Sequence, residues 1–265
     1  MMLSKGNRLH ETYKRRSNLM NSNRLVLNTL VAQAAHDAGS NQEQLVEDLL
    51  SSGINNIELR REYGNATINE LDQLSELGKR DRLTYFYSVP DNLFVNQQLN
   101  VKLLQYVAEA QRLGAGYIKM TLGDYNDAKP DCIDELLTVI PTSIQLNIEN
   151  DQTTSNSDTG KLVLFFKQFD RRDRKVGFVN DLGNWIFTNQ DALTATNTLL
   201  PYTRFIHLKG FVLNQDGNPE TVSFVQGKLD WWEILRIFPT DLPIALEYPA
   251  DADMLNSDIS KLLNN

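Results

Sequence analysis

From residue 24 onward, short apolar runs alternate with longer stretches whose apolar residues recur at helical spacing. The segments 24–30, 54–60, 83–89, 115–122, 143–149, 175–181, 203–209 and 242–248 read as strands. Each is a brief run rich in β-branched, aromatic and other apolar residues, bounded by turn formers. Between them lie 41–53, 66–78, 100–114, 132–140, 159–169, 191–200 and 230–238, and after the last strand 252–263, all with helical periodicity. Thr67 followed by Glu70 forms a capping-box pattern, in which each residue satisfies a free amide at the helix start. Gly53, Gly78 and Gly114 are the expected helix stops, and Pro141, Pro201 and Pro239 close three others, because glycine adopts the left-handed cap and proline cannot continue the ladder. Pro90 is expected to end the third strand for want of an N–H to donate. The run LVLFF (162–166) alone would also pass for a strand.

Eight strands alternating with eight helices imply parallel strands joined by helical crossovers. That count in about 240 residues predicts an α/β protein folded as one (β/α)8 barrel, a TIM barrel, over residues 20–265. An open doubly wound sheet is the rival, but the turn after the first strand has no G-x-G-x-x-G and the chain has no P-loop. Residues 1–19 carry Lys5, Arg8, Lys14, Arg15 and Arg16 against Glu11 alone and show no strand period; they are expected to be a disordered or extension segment.

Composition narrows the function. The chain has 265 residues, 41% hydrophobic and 23% charged, an ordinary globular balance. Its formal net charge of −8 argues against a nucleic-acid partner, which needs a dense basic face. The one cysteine, Cys132, permits no internal disulfide and reads as a small buried residue. No apolar run approaches the roughly 20 residues of a membrane span, and the first 20 residues lack a signal-like apolar stretch, so a cytoplasmic protein is expected.

Active sites of such barrels lie at the C-terminal ends of the strands. The polar residues there are Glu58 and Arg60 on strand 2, Lys119 and Thr121 on strand 4, Glu149 on strand 5, Asp181 on strand 6, His207 and Lys209 on strand 7, and Glu247 on strand 8. Taken singly, each carboxylate could be a helix cap and His207 a core histidine. Together, Glu149, Asp181, His207 and Glu247 recur once per β/α unit of roughly 30 residues, which sets them at one height around one rim. Three carboxylates converging without a cation would repel. One divalent metal ion resolves the conflict. Three oxygens and an imidazole suit Mn²⁺ first, with Mg²⁺, Co²⁺ or Zn²⁺ as alternatives.

These residues carry a resemblance. IELR (57–60), LNIEN (146–150), VNDLGNW (179–185), IHLKG (206–210) and IALEYP (244–249) are similar to segments of the xylose-isomerase-like TIM barrels, the sugar phosphate isomerase/epimerase superfamily. The resemblance covers nearly the whole chain from about residue 24. It implies that Glu149, Asp181, His207 and Glu247 hold the metal and that Glu149 and Glu247 are the catalytic acid–base pair. It implies a small-molecule sugar or sugar phosphate as substrate, and a homodimer or homotetramer. In that reaction a metal-stabilised cis-enediolate forms as a proton leaves carbon. Two carboxylates on opposite faces would invert the carbon, whereas one returning the proton to the neighbouring carbon would isomerise the sugar.

Glu58, Arg60, Asn184 and Lys209 are candidate substrate-binding residues, with a structural salt bridge the alternative for the first two. Asn150 and Lys119 are secondary candidates, and Trp185 is an apolar wall or core filling. Asn184 stands where several epimerases of the group have histidine, and Gly210 where the strand-7 motif often has aspartate. Alternatives are a metal-dependent dehydratase of inosose or dehydroshikimate type, and a non-catalytic sugar- or metal-binding barrel. The endonuclease IV branch needs many histidines, and this chain has only His10, His36 and His207.

Overall fold

A computed structural model describes residues 21–125, 131–169 and 175–264. The expected N-terminal extension (1–19) lies outside them. The strands in chain order are β1 (Leu25–Asn28), β2 (Asn56–Arg60), β3 (Thr84–Val95), β4 (Gln98–Leu99), β5 (Tyr117–Gly123), β6 (Gln145–Glu149), β7 (Val176–Asp181), β8 (Thr203–Leu208), β9 (Gly210–Leu213), β10 (Pro219–Val222) and β11 (Ile244–Leu246). The helices are α1 (Gln33–Asp37), α2 (Gln42–Leu49), α3 (Ile68–Asp81), α4 (Leu103–Leu113), α5 (Asp131–Val139), α6 (Thr159–Phe166), α7 (Asn184–Phe187), α8 (Ala192–Leu199), α9 (Trp231–Leu235) and α10 (Ala252–Leu263).

Eight of these strands run parallel in the order β2-β1-β11-β8-β7-β6-β5-β3, and β2 pairs with β3 to close the ring. The predicted single-domain (β/α)8 barrel is the observed fold. Two cores follow from strand alternation, since successive side chains face opposite sides of a sheet. Outward residues such as Leu25, Leu27, Ile57, Leu146, Ile148 and Phe178 pack with the helices. Inward residues Val26, Phe86, Val179, Phe205 and Ala245, with Tyr117, form a separate apolar plug inside the barrel. Phe86 stacks on Tyr117 at 4.4 Å and leans on Phe205 at 4.9 Å between ring centroids.

Two residues further along the same strands, the inward positions become Asn28, Asp181, His207 and Glu247, all buried. The polar floor therefore rests directly on the aromatic plug, and the His207 ring meets Phe205 edge-on at 4.8 Å.

Local departures from the expected pattern have identifiable causes. Strand β3 does not stop at Pro90. Its register against β5 shifts between Ser88 and Asn92, and such a bulge tolerates the missing donor. Helix α3 does not end at Gly78; it continues to Asp81, and Arg82 takes the left-handed cap at φ 56°. Gly78 instead provides clearance, since a Cβ there would stand 2.6 Å from the Tyr85 ring. The Thr67 hydroxyl accepts from the Glu70 amide at 3.3 Å, as its spacing predicts. The Glu70 carboxylate, however, accepts from Asn65 rather than closing the box. The strict alternation also has insertions: α1, α7, the short strand β4, and the antiparallel β9–β10 hairpin.

One buried polar cluster ties the loop after β2 to α4. Arg61 grips Glu109 through Nε and Nη2 at 2.8 and 2.9 Å, while Tyr87 and Gln105 donate to the same carboxylate at 2.7 and 2.8 Å. Burial alone would raise the Glu109 carboxyl; these donors outweigh it and hold it below the usual range. Its contribution is therefore present above the unfolded pKa and is lost as pH falls through the depressed folded one. Glu109→Ala, which strands Arg61 and the Tyr87 hydroxyl, is expected to lower stability by about 3 kcal/mol. The difference from the native chain in urea unfolding should shrink below pH 4.

Candidate metal centre

Glu149 ends β6, Asp181 ends β7, His207 sits one residue before the end of β8, and Glu247 follows β11. Parallel register places Asp181 beside His207 and brings Ala245, two residues before Glu247, level with His207. One donor atom from each of the four lies within 4.8 Å of the other three, and all four residues are buried. The His207 ring divides its surroundings. Nδ1 faces Glu149 Oε1 at 2.7 Å and Glu247 Oε2 at 3.1 Å, and Nε2 faces Glu58 Oε2 at 3.0 Å.

Three cations interleave with the carboxylates. Lys119 Nζ is 2.6 Å from Glu149 and 3.7 Å from Glu247. Lys209 Nζ is 2.6 Å from Asp181 and 3.2 Å from Glu247. Arg60 reaches Glu247 at 3.2 Å and Glu62 at 2.6 Å. Four carboxyl groups, Glu58, Glu149, Asp181 and Glu247, thus share the floor with Arg60, Lys119, Lys209 and the His207 imidazole.

The consequences differ by residue. Burial opposes the charge on Glu149, but Lys119 outweighs it and lowers the carboxyl. At Glu247 burial is again overcome, here by Lys209, His207 and Lys119, and the carboxyl is held well below its ordinary value. Burial wins at Asp181 and pushes it up to about 7 despite Lys209. The surrounding carboxylates raise His207, Lys119 and Lys209 against their own burial.

Asp181 is also fixed by its loop. Oδ1 accepts from the amides of Gly183 and Asn184 at 3.0 and 3.1 Å, and Oδ2 accepts from Asn184 Nδ2 at 2.9 Å. Asn150 pairs with the Asp181 backbone in both directions at 2.9 Å. Gly183 is required by close approach: a Cβ there would lie 2.6 Å from Lys209 Cγ, in the path that brings the ammonium to Asp181.

The residues fit a divalent ion on their own chemistry. Glu149 Oε1 is buried without a hydrogen bond although it is 2.7 Å from His207 Nδ1. An acceptor left so is costly, and a cation beside both atoms satisfies it. Three hard oxygens and one imidazole also match a first-row divalent ion.

Above the cluster opens a cavity of about 740 Å³. Arg60, Lys119, Glu149, Asn184, Lys209 and Glu247 line it, together with Ser88, Asn92 and Thr121. Of the expected substrate-binding residues, Arg60, Asn184 and Lys209 are on the wall. Glu58 is not; it is fully buried beneath, against Asn28 and His207. Trp185 is also fully buried, and its indole donates to Asn180 behind the loop at 2.9 Å.

Sequence reasoning passed over Asn28, whose amide reaches Glu58 at 2.7 Å and Glu247 at 3.3 Å. Its only signal was a polar residue inside the first apolar run, 24–30. Asn92 and Asp91 were missed because Pro90 was expected to end their strand.

No family model matches the chain, and no curated relative matches it. Solved structures do. A probable 3-DHS dehydratase, AsbF, from Bacillus anthracis is 17% identical, with 91% of this chain and 99% of that one covered at a TM-score of 0.62. A D-psicose 3-epimerase from Clostridium cellulolyticum H10, solved with D-tagatose, is 12% identical over 91% and 97%, at 0.63. The IOLI protein with a bound zinc atom is 13% identical over 91% and 95%, at 0.64. Others carry the descriptions xylose isomerase-like TIM barrel and sugar phosphate isomerase/epimerase. The chain has the xylose-isomerase-like TIM-barrel fold.

Proposed function

We propose that this xylose-isomerase-like barrel is a divalent-metal-dependent isomerase or epimerase of a sugar or sugar phosphate, with Mn²⁺ as the ion. The buried convergence of Glu149, Asp181, His207 and Glu247 beneath the cavity carries the reading. An ion held there would act as a Lewis acid on a substrate carbonyl, making the adjacent C–H more acidic.

The proton work falls to Glu149 and Glu247. Both line the cavity, and their lysine neighbours keep both carboxyls below the ordinary range, so both are ionised and able to accept a proton. Removal by one and return by the other inverts a carbon; removal and return to the neighbouring carbon by one alone moves the carbonyl. Arg60, Asn184 and Lys209 on the wall, with Ser88, Asn92 and Thr121, offer donors and acceptors for substrate oxygens. The likeness to structures described as epimerases supports this chemistry, and the one described with zinc supports a divalent ion. Among the described residues, no helix is long and apolar enough to cross a membrane.

The test is a panel of ketoses and ketose phosphates incubated with the protein and Mn²⁺ in D₂O. One of them should acquire carbon-bound deuterium. Inverted product free of it would exclude a two-base transfer through the two glutamates, since the returned proton must then come from the second, solvent-exchanged carboxyl.

A further inference from the structure

Glu58 has no place in the reaction above, yet it is among the most deeply buried charged groups of the molecule, with no exposed surface. It takes one hydrogen bond, from Asn28 Nδ2 to Oε2 at 2.7 Å, and its Oε1 has no hydrogen-bond partner. A buried carboxylate so thinly satisfied is costly, and its position shows what it serves.

Glu58 Oε2 stands 3.0 Å from His207 Nε2, which is likewise buried without a well-directed hydrogen bond. Glu149 and Glu247 face the other ring nitrogen, Nδ1. The two nitrogens point away from each other, so an ion among Glu149, Asp181 and Glu247 can be met by Nδ1 only. A neutral imidazole carries one N–H, and the ligating nitrogen cannot hold it. The ring proton must then sit on Nε2, where Glu58 is the carboxylate within reach. The 3.0 Å separation of Glu58 Oε2 from Nε2 is already a hydrogen-bond distance.

We propose that Glu58 is a positioning residue: it accepts the Nε2 proton of His207 and so fixes the tautomer and ring orientation that present Nδ1 to the ion. Carboxylates behind metal-binding histidines typically change metal affinity 10–100-fold when removed. Asn28 holds the carboxylate in place and spans to Glu247, so the supporting group and one ligand share an anchor. The inference rests on the metal reading proposed above.

The test uses the full chain. Calorimetric titration with Mn²⁺ should show Glu58→Leu binding roughly 10–100-fold more weakly than the native protein. Glu58→Gln, which keeps a carbonyl acceptor, should be weakened less. Nitrogen-15 spectra of the Zn²⁺-loaded native chain, with only three histidines to assign, should place the His207 proton on Nε2. Native Mn²⁺ affinity in Glu58→Leu, or a His207 proton on Nδ1, would overturn the proposal and leave the metal reading standing. A native chain that takes up neither ion would overturn both. If Glu58→Leu does not fold, the native spectrum alone decides.

Discussion

His207→Ala is expected to remove bound metal and turnover together. The imidazole is the one nitrogen in the proposed donor set, and its removal does more than delete a ligand. It opens a void over Phe205, whose ring the imidazole meets edge-on, and it leaves Glu58 without the group it faces. Glu149 and Glu247 then lose the ring nitrogen that stands 2.7 and 3.1 Å from them. Apparent Mn²⁺ affinity should fall by more than the roughly 100-fold that separates a supporting group from its absence. Elemental analysis after dialysis checks this directly: one equivalent of Mn²⁺ retained by His207→Ala would remove this residue from the site.

The second large effect concerns the carboxylates. With Mn²⁺ at saturation, Glu149→Gln and Glu247→Gln should each lower kcat by about 10²–10⁴-fold, the range for loss of a positioned acid–base group. Glutamine preserves shape and an oxygen donor but cannot take a proton. Exchange of the substrate proton with D₂O should fall in parallel with turnover, because both need the same abstraction. If either variant keeps kcat within tenfold of native, that glutamate is not a proton carrier.

Much of the architecture was legible in the chain because each strand is a self-contained apolar run and each helix has its own period. The four clustered residues stood out for the same reason: each closes or nearly closes a run that needs no charge. What could not be read depends on neighbours across the sheet. Lys119 could be placed near the rim as a secondary candidate but not given a partner; only the pairing of β5 with β6 puts its ammonium against Glu149. Glu58 is near a strand end and so is expected on the rim; only the pairing of β2 with β1 sets it against Asn28, fully buried and facing His207. The passage of β3 through Pro90 depends on a register shift against β5, and the role of Gly78 on a tyrosine seven residues away. No periodicity encodes such clearances.

Asn28 has a consequence that concerns the chain ends. Strand β1 lies between β2 and β11, so the ring closes where the N-terminal and C-terminal parts of the barrel meet. The Asn28 amide spans that seam, touching Glu58 on one side and Glu247 on the other. The four candidate ligands lie on β6, β7 and β8 and just after β11, neighbours on one side of that seam, so an ion held by them would tie β11 to the C-terminal half while Asn28 ties it to β1. By mass action, such an ion at 100 times its dissociation constant would stabilise the folded barrel by about 2.7 kcal/mol. Metal occupancy would thus oppose separation of β11 from β8, leaving the seam itself to the Asn28 contacts.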